Sequence, residues 1–302
     1  MTPQFSVVIP AFNAAATIAD TVRAVVTQPL AREIFECIVV DDGSRDQTAE
    51  MAERVGALVM RLPKNQGASA ARNAGVEKAR GEWIAFTDAD CVPSRRWLAA
   101  FLAATEKLDR STIAVAGQTI GLDSKTTAAR FMDLVGSLDA VNYLRSETFP
   151  WAPSCNLAYR RADLLAIGGF DRAFTSYETP EMHLRMVERF GGNILLVPSA
   201  LVMHRHRGTW RGLWRQQQSY GRGYAHFLIR YAGRWPWSVR REARAWARLF
   251  PLAMRAAVGR GNEGLVHRGV LFKQAAQRVG FARTFFSPGE RRRFSVFKTG
   301  NA

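Results

Sequence analysis

Glu82-Trp83-Ile84-Ala85-Phe86-Thr87-Asp88-Ala89-Asp90-Cys91 is the stretch on which the fold reading turns. Ile84 to Phe86 is an apolar run of the length of a buried strand, and it stops at two aspartates separated by one alanine. In an open α/β sheet, ligands gather just beyond the carboxyl ends of the strands, which is where this spacing puts Asp88 and Asp90. Two carboxylates so close repel each other unless positive charge lies between them. A hard divalent cation that keeps part of its water shell and also holds phosphates supplies that charge. An isolated Asp-x-Asp is equally an ordinary turn sequence, so the weight falls on what surrounds it.

Upstream, Phe5-Ser6-Val7-Val8-Ile9-Pro10 reads as a buried strand stopped by proline, followed by the loop Ala11-Phe12-Asn13 and a helix over about residues 15–27. Phe35 to Val40 is a second strand, and it too ends on carboxylates, Asp41-Asp42-Gly43-Ser44, before a helix that runs to Arg54. A third strand covers Leu58 to Leu62, and Asn65-Gln66-Gly67 opens a helix of small residues over 68–78. Strands that alternate with helices imply parallel βαβ units with right-handed crossovers. The loops after the first, second and fourth strands then meet at one sheet edge. The fold class expected is therefore α/β, a mostly parallel sheet flanked by helices with a Rossmann-like nucleotide-binding half.

Four blocks in this order and spacing, Ser6-Val7-Val8-Ile9-Pro10-Ala11-Phe12-Asn13, Ile38-Val39-Val40-Asp41-Asp42-Gly43-Ser44, Asn65-Gln66-Gly67-Ala68-Ser69-Ala70-Ala71-Arg72-Asn73-Ala74-Gly75 and Phe86-Thr87-Asp88-Ala89-Asp90, resemble the signature segments of family 2 glycosyltransferases. The resemblance covers roughly residues 5–225. It implies a GT-A fold, a nucleotide-diphosphate-sugar donor, a Mg or Mn cofactor and transfer with inversion at the anomeric carbon. Carried over by position, Pro10, Ala11 and Asn13 line the nucleotide pocket. Asp42, with Asp41 beside it, accepts an N–H of the base, and Arg72 reaches base or phosphates. Asp88 serves ribose and metal, Asp90 the metal, and His204, at the end of a later strand, completes the metal shell.

In the acceptor half the sequence departs from the family pattern. Gly168-Gly169-Phe170-Asp171 ends a helix as expected, but Tyr177-Glu178-Thr179-Pro180-Glu181 has threonine where the family's catalytic aspartate stands. A hydroxyl does not take up a proton near neutral pH, and inverting transfer needs a base for the acceptor's proton. Glu178 and Glu181 are the two candidates, each also able to complement the helix N-terminus electrostatically. Residues 121–150 read as a loop with one helix over about 126–144, and residues 193–198 and 201–204 as two strands.

Charge and cysteine usage bound the rest. The net charge of +16 is uneven: from His204 onward there are 21 Lys and Arg against 3 acidic residues, which leaves the first 203 residues at −2. The three cysteines, Cys37, Cys91 and Cys155, have neither metal nor redox spacing and read as reduced thiols of a cytoplasmic protein. The opening residues lack a signal-peptide pattern, and no apolar run reaches membrane-spanning length.

Beyond Trp235, Ala243, Trp246, Phe250, Ala253 and Ala257 recur at helical spacing, and Arg241, Arg244, Arg248 and Arg255 recur displaced by two residues. The two sets therefore take opposite faces, and Pro251 is expected to break or kink the helix. This basic amphipathic helical region suits an anionic membrane surface at the inner face of the cytoplasmic membrane or packing on the catalytic domain; no nucleic-acid motif accompanies the charge. The organisation expected is a glycosyltransferase domain over 1–234, divided into a donor half (1–118) and an acceptor half (119–234), and a basic tail over 235–302. The partners expected are a nucleotide-sugar donor and a glycan or lipid-linked acceptor. A non-catalytic nucleotide-sugar-binding relative and a sugar nucleotidyltransferase are the alternatives, the latter without a Gly-rich basic phosphate loop near the N-terminus.

Overall fold

The run Phe5-Ser6-Val7-Val8-Ile9-Pro10-Ala11 is buried along nearly its whole length, and as strand β1 (Phe5–Ala11) it lies inside an eight-stranded sheet. In the computed structural model, which describes residues 2–145, 149–235 and 238–295, β1 pairs in parallel with β2 (Phe35–Asp41), β2 with β3 (Leu58–Arg61), and β1 also with β4 (Trp83–Phe86). The remaining strands are β5 (Cys91–Pro93), β6 (Thr112–Gly121), β7 (Leu157–Arg160) and β8 (Asn193–His204). The order across the sheet is β3-β2-β1-β4-β7-β6-β8-β5. β7 runs antiparallel between β4 and β6, β8 runs parallel to β6, and β5 closes the far edge antiparallel to β8.

Alternating side chains of each strand face opposite ways, so the sheet carries two cores. Val7 and Ile9 pack with Ile18, Val22 and Val25 of α1 (Ile18–Val26) on one face. Val8, Ile38 and Val40 pack with Ala71 and Val76 on the other. α2 (Thr48–Val55) follows β2, and α3 (Ala68–Lys78) supplies that second face. α4 (Trp97–Thr105) adds Trp97, Leu98 and Phe101 to the first. Gly75 of α3 stands where a Cβ would meet the Val8 side chain at 2.4 Å, so only glycine lets this helix lie so close to β1.

The region expected as one helix over 126–144 is two, α5 (Thr127–Leu134) and α6 (Ala140–Leu144). Gly136 and Leu138 between them both have positive φ, a conformation no helix continues through. The two strands expected over 193–204 are the single strand β8, which continues past Pro198. A bulge in its pairing with β6 falls between Gly117 and Thr119, the kind of irregularity at which proline is tolerated in a sheet. After β7 come α7 (Arg161–Ala166) and α8 (Glu178–Phe190).

The chain's compact units do not follow the division read at residue 234. One comprises Met1–Leu122, Gly136–Ala173 and Glu178–Arg205; the other comprises Asp123–Val135, Phe174–Tyr177 and His206–Ala302. The second unit contains α5 together with α9 (Trp210–Arg230), α10 (Val239–Ala247), α11 (Leu249–Val258), α12 (Gly261–Phe285) and α13 (Pro288–Ser295). α9 and α12 run in close contact: a Cβ on Gly221 would meet the Gln277 carbonyl at 1.9 Å, and one on Gly280 the Gln218 carbonyl at 2.1 Å. The break expected at Pro251 lies before it, between α10 and α11, and Pro251 sits in the first turn of α11, where its missing N–H costs nothing. The expected basic face included Arg241, whose side chain lies outside the described residues.

Candidate active site

The carboxyl ends of β1, β2 and β4 carry the residues singled out for donor binding. After β1, Asn13 takes a positive φ of 49°, which asparagine tolerates. Its N–H donates to Ser44 Oγ at 2.8 Å and its Oδ1 accepts from the Arg45 N–H at 2.9 Å. The loops after β1 and β2 are thereby fastened together beside Pro10 and Ala11. Asp41 Oδ1 accepts from the Ser44 N–H at 3.0 Å. Asp42 accepts the backbone N–H groups of Gln66 and Gly67 at 2.8 and 2.7 Å, one on each oxygen. Both carboxylates are buried and shape the loops they stand in, and each oxygen of Asp42 retains a second lone pair for a base N–H. Beneath them, Gly43 at φ +71° approaches the Lys64–Asn65 backbone so closely that a Cβ would meet it at 2.7 Å.

Arg72, expected to reach base or phosphates, is buried among protein groups. Its side chain is 4% exposed. One Nη donates to Asp88 Oδ1 and the other to Glu178 Oε1, both at 2.9 Å. Burial alone pulls its pKa down, but the charges of Asp88 and Glu178 more than offset this and the net shift is upward. The guanidinium also lies over the Phe170 ring, 5.6 Å from its centroid. Asn73, the next residue, exchanges two hydrogen bonds with the Phe170 backbone, 2.8 Å each. α3 thus brings the end of β4 and the first residue of α8 to one cation, and two carboxylates on one guanidinium leave a net charge of about −1 there.

The second candidate base is placed otherwise. Glu181 is 1% exposed and clasps Arg185 one turn on with both oxygens, at 2.8 Å each. Arg185 in turn donates to the carbonyls of Ile167 and Gly169, both at 2.7 Å. Glu181 therefore holds the glycine turn that precedes the helix. The Glu-x-x-x-Arg spacing was the signal in the sequence for this pairing.

For a metal, the structure brings together Asp90, Cys91 and His204, whose ligand atoms lie within 4.8 Å of one another. The pairing of Cys91 with His204 between β5 and β8 does this, and Asp90 Oδ1 is 3.4 Å from His204 Nε2. Asp88 is not in this group, because its carboxylate turns to Arg72. Cys91, read from the sequence as a reduced thiol, is a free cysteine beside this pair. It is fully buried, and burial, with Cys155 as its hydrogen-bonding neighbour, pushes its pKa well above the usual range. A sulfur donor is soft and a poor partner for a hard, oxygen-seeking cation. A carboxylate and an imidazole at a strand end fit a divalent ion such as Mg²⁺ or Mn²⁺, with phosphate oxygens able to complete its shell.

Residues 6–166 match the profile of glycosyl transferase family 2. The chain belongs to that family. Among solved structures, the mannosyltransferase PcManGT from Pyrobaculum calidifontis, in complex with GDP-Man and Mn²⁺, superposes with a TM-score of 0.64 at 20% identity, over 94% of this chain and 87% of that one. This likeness carries the fold, which is GT-A. Among curated relatives, the pre-mycofactocin glycosyltransferase of Mycobacterium tuberculosis is 32% identical over 203 residues, 64% of this chain and 42% of its own length. The probable glycosyltransferase YdaM of Bacillus subtilis is 27% identical over 243 residues, 76% of this chain and 57% of its own. The chain spans about half the length of these relatives.

Proposed function

We propose that the protein transfers a sugar from a nucleotide-diphosphate sugar to an acceptor hydroxyl, with inversion. The observation that carries the reading is the Arg72 bridge, which joins the donor-side Asp88 to Glu178, the residue next to the family's usual base position. The acceptor oxygen bonds to the anomeric carbon while the bond from that carbon to the diphosphate breaks. The electron pair of the broken bond leaves with the nucleoside diphosphate, and the acceptor's proton passes to Glu178. Asp90 and His204 would hold a divalent ion, which when bound supplies charge neutralisation for the departing diphosphate. Arg72 orients Glu178 for the proton, and being shared with Asp88 it does not neutralise it outright. Asp42, Asn13, Pro10 and Ala11 shape the base pocket.

The test is a panel of UDP-, GDP- and dTDP-sugars with Mn²⁺ or Mg²⁺, followed by release of free nucleoside diphosphate. Metal-dependent release with at least one donor is expected. Tight donor binding with no release from any donor would point to a non-catalytic binder instead.

The place of action proposed is an anionic membrane surface, with a glycan or lipid-linked acceptor. Among the described residues no helix is long and apolar enough to cross a membrane. Trp246, Phe250, Met254 and Val258 nevertheless stand exposed at intervals of four along α10 and α11, Phe250 at 74% and Val258 at 76%. Arg240, Arg244, Arg248 and Arg255 lie on the same two helices and their junction. Apolar side chains flanked by arginines support an interfacial helix on anionic lipid. Phe250→Ser with Val258→Ser should reduce sedimentation with anionic vesicles, and equal pelleting with wild type would remove this part of the proposal.

A further inference from the structure

The second compact unit contains a cavity of about 250 Å³ that no step above uses. Tyr177, Tyr224 and Phe281 form an apolar wall, with ring centroids 5.6 Å apart for the first pair and 5.9 Å for the second. Glu242 of α10 and Gln277 and Arg278 of α12 supply polar groups. Arg278 is tied by one Nη to the Ala245 carbonyl at 2.8 Å, and its guanidinium lies 5.9 Å from the Trp246 ring centroid. Its Nε–H is buried without a hydrogen-bond partner among the described residues. A buried donor left unmatched costs about 1–3 kcal/mol, and each such group calls for an explanation. That atom is sealed from solvent, so contact with a ligand in the cavity falls to the other N–H groups of the guanidinium.

The combination narrows the ligand. Flat aromatic walls favour an apolar face, while a carboxylate, an amide and a guanidinium on the other sides favour several hydroxyls at fixed spacing. A pyranose ring presents both, a face of C–H groups and an edge of hydroxyls. The volume is below the ~300–1,000 Å³ usual for drug-sized ligands, which suits one ring and not a chain of them. An alkyl chain would set Glu242, Gln277 and Arg278 against hydrocarbon, and an anion would face Glu242.

We propose that this cavity binds one neutral sugar residue of the acceptor glycan. Tyr177 of the cavity's wall immediately precedes Glu178 in the sequence. The inference rests on the glycosyl-transfer reading for the word acceptor, and on the cavity alone for the binding of sugar.

The experiment is saturation-transfer NMR on the full chain, with methyl glycosides of glucose, mannose, galactose and N-acetylglucosamine as probes, beside donor hydrolysis measured on the same samples. At least one glycoside should receive saturation from wild type. Arg278→Met and Tyr224→Ala should each weaken its binding about tenfold or more, as loss of a charge-assisted hydrogen bond or a stacking face does. Both variants should hydrolyse donor at the wild-type rate, which also shows that they are folded. Binding of no glycoside by wild type, or unchanged binding in both folded variants, overturns the proposal. Sugar binding without any donor hydrolysis by wild type would leave the sugar site standing and defeat the transferase reading.

Discussion

Glu178 and Glu181 stand three residues apart in the first turn of α8, and each meets an arginine, but the two pairs are built for different work. Glu181 is sealed in, with both oxygens on Arg185, and Arg185 is spent on the carbonyls of the glycine turn. Glu178 is 15% exposed and offers one oxygen to an arginine that it shares with Asp88. A carboxylate clasped on both oxygens by one arginine and closed to solvent does not reach a substrate's proton. One that is partly open, and held by a divided counter-charge, does. One helix end thus carries a structural ion pair and a candidate catalytic one, separated by less than a full turn.

The largest effect that should separate them is on stability. Glu181→Gln leaves Arg185 without its carboxylate in a mostly buried site and should cost about 3 kcal/mol, at the low end for a broken buried pair because Arg185 keeps some solvent. Chemical denaturation measures it, and a loss under 1 kcal/mol would make the two pairs alike.

A second effect comes from the inner side of the same helix. His183 is buried with Nδ1 2.8 Å from the Tyr159 hydroxyl, and burial lowers its pKa from 6.5 to about 4. Between those values the unfolded chain binds a proton that the folded one refuses, so stability is full above pH 6.5 and falls as the pH drops toward 4. The loss should be roughly 2–3 kcal/mol, and His183→Gln should flatten that part of the profile. A wild-type profile as flat as the variant's would remove His183 as its cause.

The smallest effect sharpens the contrast between the Arg72 bridge and the metal residues. Asp90→Asn should weaken metal-dependent donor binding about 10–100-fold, the usual scale for a group that orients or ligates a metal, while the Arg72 contacts remain. Calorimetry with and without Mn²⁺ reads it. An unchanged metal dependence would take Asp90 out of the metal shell.

How much of this the sequence reveals depends on the range of the interaction. β1, β2 and β4 are legible because each is a short apolar run ended by proline or aspartate, and α3 because Gly67 opens a stretch of small residues that runs to Lys78. The break between α5 and α6 is hidden, since Leu138 adopts a positive φ that nothing in its identity announces. The approach of His204 to Asp90 depends on β5 pairing with β8 across more than a hundred residues, and local periodicity carries no trace of it. Arg72 illustrates the same limit. Its position in a signature block marks it as functional, but only the folded chain brings Glu178, 106 residues away, to its guanidinium. Glu181 is the converse, a pairing written in the sequence at i and i+4 and masked there by the candidate catalytic role.

The most direct measurement is the transfer rate of Glu178→Gln against wild type, at saturating donor and with donor affinity measured in parallel. The substitution keeps the side chain's shape and its contact with Arg72 while removing its ability to take a proton. Transfer should fall about 10²–10⁴-fold, with donor affinity within a factor of a few of wild type. Full transfer by Glu178→Gln, together with a large loss in a folded Glu181→Gln, would contradict the account.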